Sequence, residues 1–194
     1  LVILSVFGLH NMLATVKQRF AGRKRVLFSG VALIAVAAGL AWNAVYLSEQ
    51  FVKYRPLDYI SGRVGRDAYI TRHRPEYPVL QFANRNIDEH SKLLCLFQGY
   101  RRYYIDRVTV HNEARFRNIV IRSNSPDEMA RKLKRKKFTH LLIHFDLFQQ
   151  WSRVIFTNDE IERINKFFLQ YTQQLFSNGG YVLLELTSSH LPPG

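Results

Sequence analysis

The longest unbroken apolar stretch covers residues 26–47 and contains no charged side chain. At about 1.5 Å of rise per helical residue it matches a bilayer core about 30 Å thick, so a transmembrane helix is predicted there. Lys17, Arg19, Arg23, Lys24 and Arg25 precede it without an acidic neighbour, which assigns the loop 17–25 to the cytoplasmic side and everything after Leu47 to the outside. Trp42 and Tyr46 fall near the outer end, where amphipathic rings favour the interface. The run is too long and begins too far into the chain for a secretory signal peptide. Residues 1–16 are also mostly apolar. They read as the second half of a preceding membrane helix, paired with the first span around the basic loop. The alternative is a single-span protein whose first residues form a surface helix.

Beyond the anchor the pattern changes. Residues 51–78 are polar and aromatic, punctuated by Pro56, Gly62, Gly65, Pro75 and Pro78. They read as an irregular juxtamembrane connector with one short helix over 66–73. Val79, Phe82, Ala83 and Ile87 recur at helical spacing over 79–90, and the continuous apolar run 92–98 reads as a strand buried on both faces. A turn or short helix over 100–107 leads to a brief strand at 108–111. Ser125-Pro126-Asp127-Glu128 predicts a helix start with a capping box. A strand is expected over 138–145 and an amphipathic turn around 147–151. Thr157 and Glu160 open a long helix whose stripe, Ile161, Ile164, Phe168, Tyr171 and Leu175, is taken to end at Gly179-Gly180. A last strand covers 181–187, and the tail 188–194 has no periodicity. Strands alternating with helices predict an α/β fold: a membrane helix followed, over 79–187, by a small layered α/β domain with a mainly parallel sheet.

Charge sharpens the picture. The chain carries a net charge of +13. Residues 51–194 hold 23 basic against 14 acidic side chains, enough surplus to favour an anionic partner such as lipid head groups, a phosphorylated lipid carrier or an acidic polysaccharide. An extracytoplasmic domain makes nucleic acid the least expected of these partners. The single cysteine, Cys95, reads as a small buried hydrophobe, and the fold must rely on its core. The basic run 132–137 falls at a helix C-terminus, where cations complement the macrodipole; it reads either as a solvated helix end or as a head-group site.

Catalytic chemistry is sparse in the sequence. His140 and His144 are the only closely spaced histidines, but on a strand four positions span roughly 13 Å, too far for one metal. Gly62-Arg63-Val64-Gly65 lacks the Lys-Ser/Thr ending of a phosphate loop and reads as a turn. No nucleophile motif or carboxylate pair stands out. Asp58, Asp67 and Asp106 are single acids among basic neighbours, with salt-bridging as their default role. The richest cluster is Arg101, Arg102, Tyr103, Tyr104 and Arg107. Arginine forks pair with phosphate and tyrosine rings flank sugars; equally, Tyr104 can pack on the sheet with the arginines in solvent. The cluster follows the first strand, where α/β sheets bind ligands beyond the carboxyl ends of their strands.

Pro56-Leu57-Asp58-Tyr59-Ile60-Ser61-Gly62, Arg66-Asp67-Ala68-Tyr69-Ile70, Tyr77, Asn84, Arg102-Tyr103-Tyr104-Ile105-Asp106-Arg107, Ser125-Pro126-Asp127-Glu128, Phe138-Thr139-His140-Leu141-Leu142-Ile143 and Tyr181-Val182-Leu183-Leu184-Glu185-Leu186 follow a basic loop and a membrane helix. In that order they resemble the C-terminal part of bacterial multi-pass glycosyltransferases related to the dolichyl-phosphate-mannose protein mannosyltransferases. The resemblance implies transfer of a sugar from a polyprenyl-phosphate carrier, with an acidic catalytic residue in the first extracytoplasmic loop, upstream of Leu1. It carries no catalytic residue onto this stretch. No cofactor or metal is expected here, a divalent metal being a matter for the parent enzyme, and the fragment alone should be inactive. The rival expectation is a non-enzymatic anchored module that binds an acidic envelope polymer or a protein partner.

Overall fold

The computed structural model describes residues 8, 11, 14, 15, 23–99 and 102–187. The chain divides into two compact units, Leu1–Val64 and Gly65–Gly194.

In the first unit, helix α1 (Arg23–Tyr54) is 32 residues long. Its segment Gly30–Tyr54, 25 residues, is long and apolar enough to cross a membrane, and 6% of its 18-residue apolar window is buried. Val31, Leu33, Ile34, Leu40 and Trp42 are all exposed. The helix thus runs past the predicted end at residue 47, and within it the Ser48 hydroxyl donates to the Ala44 carbonyl. Arg55, at φ 45°, breaks the helix. Pro56 then opens the short helix α2 (Pro56–Ile60), because a proline in a first turn has no hydrogen bond to lose. Asp58 accepts an ion pair from Arg55 Nε at 2.9 Å.

The second unit begins with α3 (Arg66–His73) and α4 (Tyr77–Asn86). The connector is therefore largely helical where the prolines and glycines predicted irregular chain. Five strands follow: β1 (Lys92–Leu96), β2 (Val108–His111), β3 (His140–His144), β4 (Thr172–Asn178) and β5 (Tyr181–Leu186), in spatial order β2-β1-β3-β5-β4. β1 is parallel to β2 and to β3, whereas β5 is antiparallel to β3 and to β4. The intervening helices are α5 (Glu113–Ile121), α6 (Pro126–Arg135), α7 (Phe145–Ile155) and α8 (Asn158–Tyr171).

Alternation along the strands separates two cores. Leu94, Leu96, Leu141 and Ile143 pack with Phe116, Ile119, Val120, Met129, Leu133, Phe148, Ile164 and Phe167 from α5 to α8. Leu93, Cys95, Leu142, Tyr181 and Leu183 point the other way, onto Val79, Leu80 and Ala83 of α4. The sheet is thus sandwiched between one helix and four. This is the layered α/β domain that the pattern predicts, with a parallel half and an antiparallel hairpin.

The capping signals act as read, with one difference. Thr157 and Glu160 form a full capping box on α8. Ser125 Oγ accepts from the Glu128 N–H at 3.2 Å, but Glu128 returns to the N–H of Asn124. The long helix ends at Tyr171, seven residues before the sequence reading stopped it: 172–178 is strand β4, and Gly179-Gly180 is a hairpin turn with φ of 56° and 81°. Two adjacent left-handed glycines fit the turn that matches strand twist, and Phe176 of β4 stacks on Phe82 of α4 with ring centroids 4.7 Å apart.

Candidate functional site

The Arg and Tyr cluster occupies the loop that joins β1 to β2. Arg101 lies outside the described residues. The loop is tied to α4 through one side chain: Asn84 Nδ2 donates to the Tyr104 carbonyl at 3.1 Å, and Asn84 Oδ1 accepts from the Asp106 N–H at 3.0 Å. Arg107 completes the tie. Its Nη2 donates to the carbonyls of Asn84 at 2.7 Å and Ile87 at 2.9 Å, and its Nε reaches Ile87 at 3.3 Å. Those carbonyls lie at the C-terminal end of α4, where the helix leaves acceptors unpaired and a cation is favoured. Arg107 is therefore engaged within the fold.

Tyr104 is half-buried and sits edge-on to Tyr77 (5.1 Å) on one side and Tyr103 (5.2 Å) on the other. Tyr77, 2% exposed, anchors the row by donating its hydroxyl to Asp67 at 2.7 Å. Arg102 and Tyr103 are left at the surface, Tyr103 being 87% exposed. The loop thus divides the cluster: Arg107 and Tyr104 hold it in place, and Arg102 and Tyr103 face solvent.

At the carboxyl end of β1 the chain turns through two left-handed residues, Phe97 (φ 60°) and Gly99 (φ 72°). A phenylalanine in that region is strained by about 1–3 kcal/mol. Its N–H is held by Glu113 Oε1 at 3.0 Å, and its ring packs edge-on against Trp151 at 5.3 Å. Gln98 between them is 3% exposed, and its amide has no hydrogen-bond partner among the described residues. Burial pushes the Cys95 thiol up to about 12 against the opposing charge of Arg102, which leaves it inert as a nucleophile. Burial also holds His111 below its ordinary value, with Arg102 acting in the same direction and Glu113 against it.

The paired histidines have separate structural roles. His140 is buried, with Nδ1 2.9 Å from Thr139 Oγ1, and burial lowers its pKa against the pull of Glu185. His144 caps α7, accepting from the Leu147 N–H at 3.5 Å, and packs edge-on to Tyr181. Among the described residues no three His, Cys, Asp or Glu side chains gather as a metal site.

Sequence reading passed over α5 and with it Arg115 and Arg122, which line a cleft shared with Lys132, Arg135 and Lys136 of the basic run. The available signal was Asn112 before Glu113: Asn112 Oδ1 accepts from the Arg115 N–H at 2.7 Å and caps the helix. No family model, curated protein or solved structure matches this chain.

Proposed function

We propose that the chain is the C-terminal region of a membrane glycosyltransferase that transfers a sugar from a polyprenyl-phosphate donor, with the α/β domain outside the cytoplasm. On this reading the catalytic residues lie upstream, and the domain supplies donor contacts. The ordered motifs that resemble such enzymes support it, as does a helix whose exposed apolar side chains call for a lipid surrounding. The observation that carries the reading to specific residues is the loop between β1 and β2. Asn84 and Arg107 tie residues 104–107 to α4, so Arg102 and Tyr103 stand next to a held segment, which limits the freedom they lose on binding. A guanidinium fork pairs with a phosphate diester and an exposed phenol ring stacks on a sugar face.

The test uses the full-length enzyme in membranes supplied with a polyprenyl-phosphate sugar. Arg102→Gln and Tyr103→Ala are expected to weaken donor binding about tenfold each, through loss of one charge-assisted contact and of one stacking surface respectively, with the melting temperature unchanged. Unchanged donor affinity in both variants overturns the assignment of these residues. Turnover by residues 1–194 alone overturns the placing of the catalytic residues.

A further inference from the structure

The second feature with chemistry of its own is the cleft between α5 and α6. Its α5 wall is Arg115, Asn118 and Arg122, and its α6 wall is Lys132, Arg135 and Lys136. The spacings of three and four residues put each set on one helical face. The cavity is about 660 Å³, within the range of small-molecule sites. Five cations line it and no carboxylate does.

Neutralisation from within is largely absent. The acids on the two helices are Glu113, Asp127 and Glu128. Glu113 holds the Phe97 N–H, Asp127 pairs with Arg131, and Glu128 pairs with Lys132 at 2.8 Å. Arg115 lies over the Phe138 ring, its Cζ 6.0 Å from the centroid. Arg122, Arg135 and Lys136 make no ion pair among the described residues and are exposed. Their positions at the ends of α5 and α6 let them offset the two helix dipoles, worth about one negative charge together. Pairing of Lys132 leaves four cations, so an excess of about three positive charges stays in one cleft. A solvated helix end accounts for one or two of these cations, not for arginines converging from a second helix.

We propose that this cleft binds a phosphate ester group of small-molecule or head-group size, at a site separate from the Arg102 loop. Phosphate fits better than a lone carboxylate because it brings close to two negative charges and three acceptor oxygens to one point, and planar guanidinium forks match its geometry. A soluble phosphate monoester and the monoester head group of phosphatidic acid share this chemistry.

The experiment places the 194-residue chain in phosphatidylcholine nanodiscs and titrates it with inorganic pyrophosphate by calorimetry. Wild type is expected to bind saturably, and Arg122→Gln with Arg135→Gln to weaken binding at least about tenfold. Arg117→Gln with Lys134→Gln, the same change in net charge at exposed positions outside the cleft, should leave affinity within about twofold. Arg102→Gln should also leave it unchanged, which separates this site from the proposed donor loop. Adding phosphatidic acid, whose head group is a phosphate monoester, to the disc distinguishes the sources. Competition with pyrophosphate assigns the site to a lipid head group, and unchanged affinity assigns it to a soluble phosphate ester. Equal weakening in the two paired variants, or no saturable binding by wild type in either disc, overturns the proposal. Circular dichroism melts of each variant matching wild type confirm that binding, not folding, has been read.

Discussion

Replacing Arg107 tests whether the fold or a ligand claims this guanidinium. Arg107→Ala removes three hydrogen bonds, two from Nη2 and one from Nε, to the carbonyls of Asn84 and Ile87. A hydrogen bond with a charged partner contributes about 1.5–3 kcal/mol when it is buried. Arg107 is half-buried and two of the bonds share one acceptor, so water recovers part of the loss. The net effect expected is about 2–3 kcal/mol, which for a domain of this size lowers the melting temperature by roughly 6–12 °C. Arg107→Lys keeps the charge near the end of α4 but not the fork, and should recover about half of that loss. The assay is thermal melting followed by near-ultraviolet circular dichroism, which reads the aromatic row Tyr77, Tyr104 and Tyr103 beside the loop. A melting temperature within about 1 °C of wild type for Arg107→Ala would refute the reasoning, because it would mean that the carbonyls find equal partners without the arginine.

Two further outcomes follow from the same structure. His140 and His111 are both held below their ordinary pKa, first by burial; the unfolded chain then binds more protons than the folded one as pH drops below about 6.5. Stability, measured by urea unfolding, should fall between pH 7 and 5.5, with a smaller slope in His140→Gln; a flat wild-type profile in that window would contradict the assignment. Gly179→Ala places a Cβ 2.8 Å from Pro75 Cβ and forces a φ of 56°, so a destabilisation of about 1–3 kcal/mol is expected, and denaturant midpoints equal to wild type would exclude the tight turn.

The elements that could be read from sequence are those whose signals are local. The uncharged run within α1, the continuous apolar strands β1 and β3, and the caps at Ser125 and Thr157 each need only a few neighbouring residues to declare themselves. Strand β4 does not. Leu175 and Phe176 continue the spacing of α8, and what favours an extended chain there is the antiparallel pairing with β5, together with the packing of Phe176 on Phe82, far upstream. Helix α5 was hidden because Phe116, Ile119 and Val120 are its only buried residues and arginines interrupt them. At the candidate loop, the residue types were visible but not their division of labour. Arg102 and Arg107 look alike in sequence, and what separates them is the end of α4, which lies about twenty residues earlier in the chain.

That division also relocates the charge. The loop 97–107 carries three arginines and one aspartate, whereas residues 113–137 carry nine basic and three acidic side chains. Most of the domain's surplus therefore belongs to the α5 and α6 segment, and the residues proposed to meet a sugar phosphate sit where the field is weaker. None of the residues lining the cleft belongs to that loop, so the two regions present different side chains to a ligand. A loop that, among the described residues, presents one solvent-facing guanidinium and an aromatic ring suits recognition by shape and stacking, with shallow dependence on salt. A cleft with an excess of about three charges suits electrostatic capture, which weakens steeply as salt rises. The two kinds of binding are thus physically distinct, and the composition, which shows only their sum, merges them into a single basic domain.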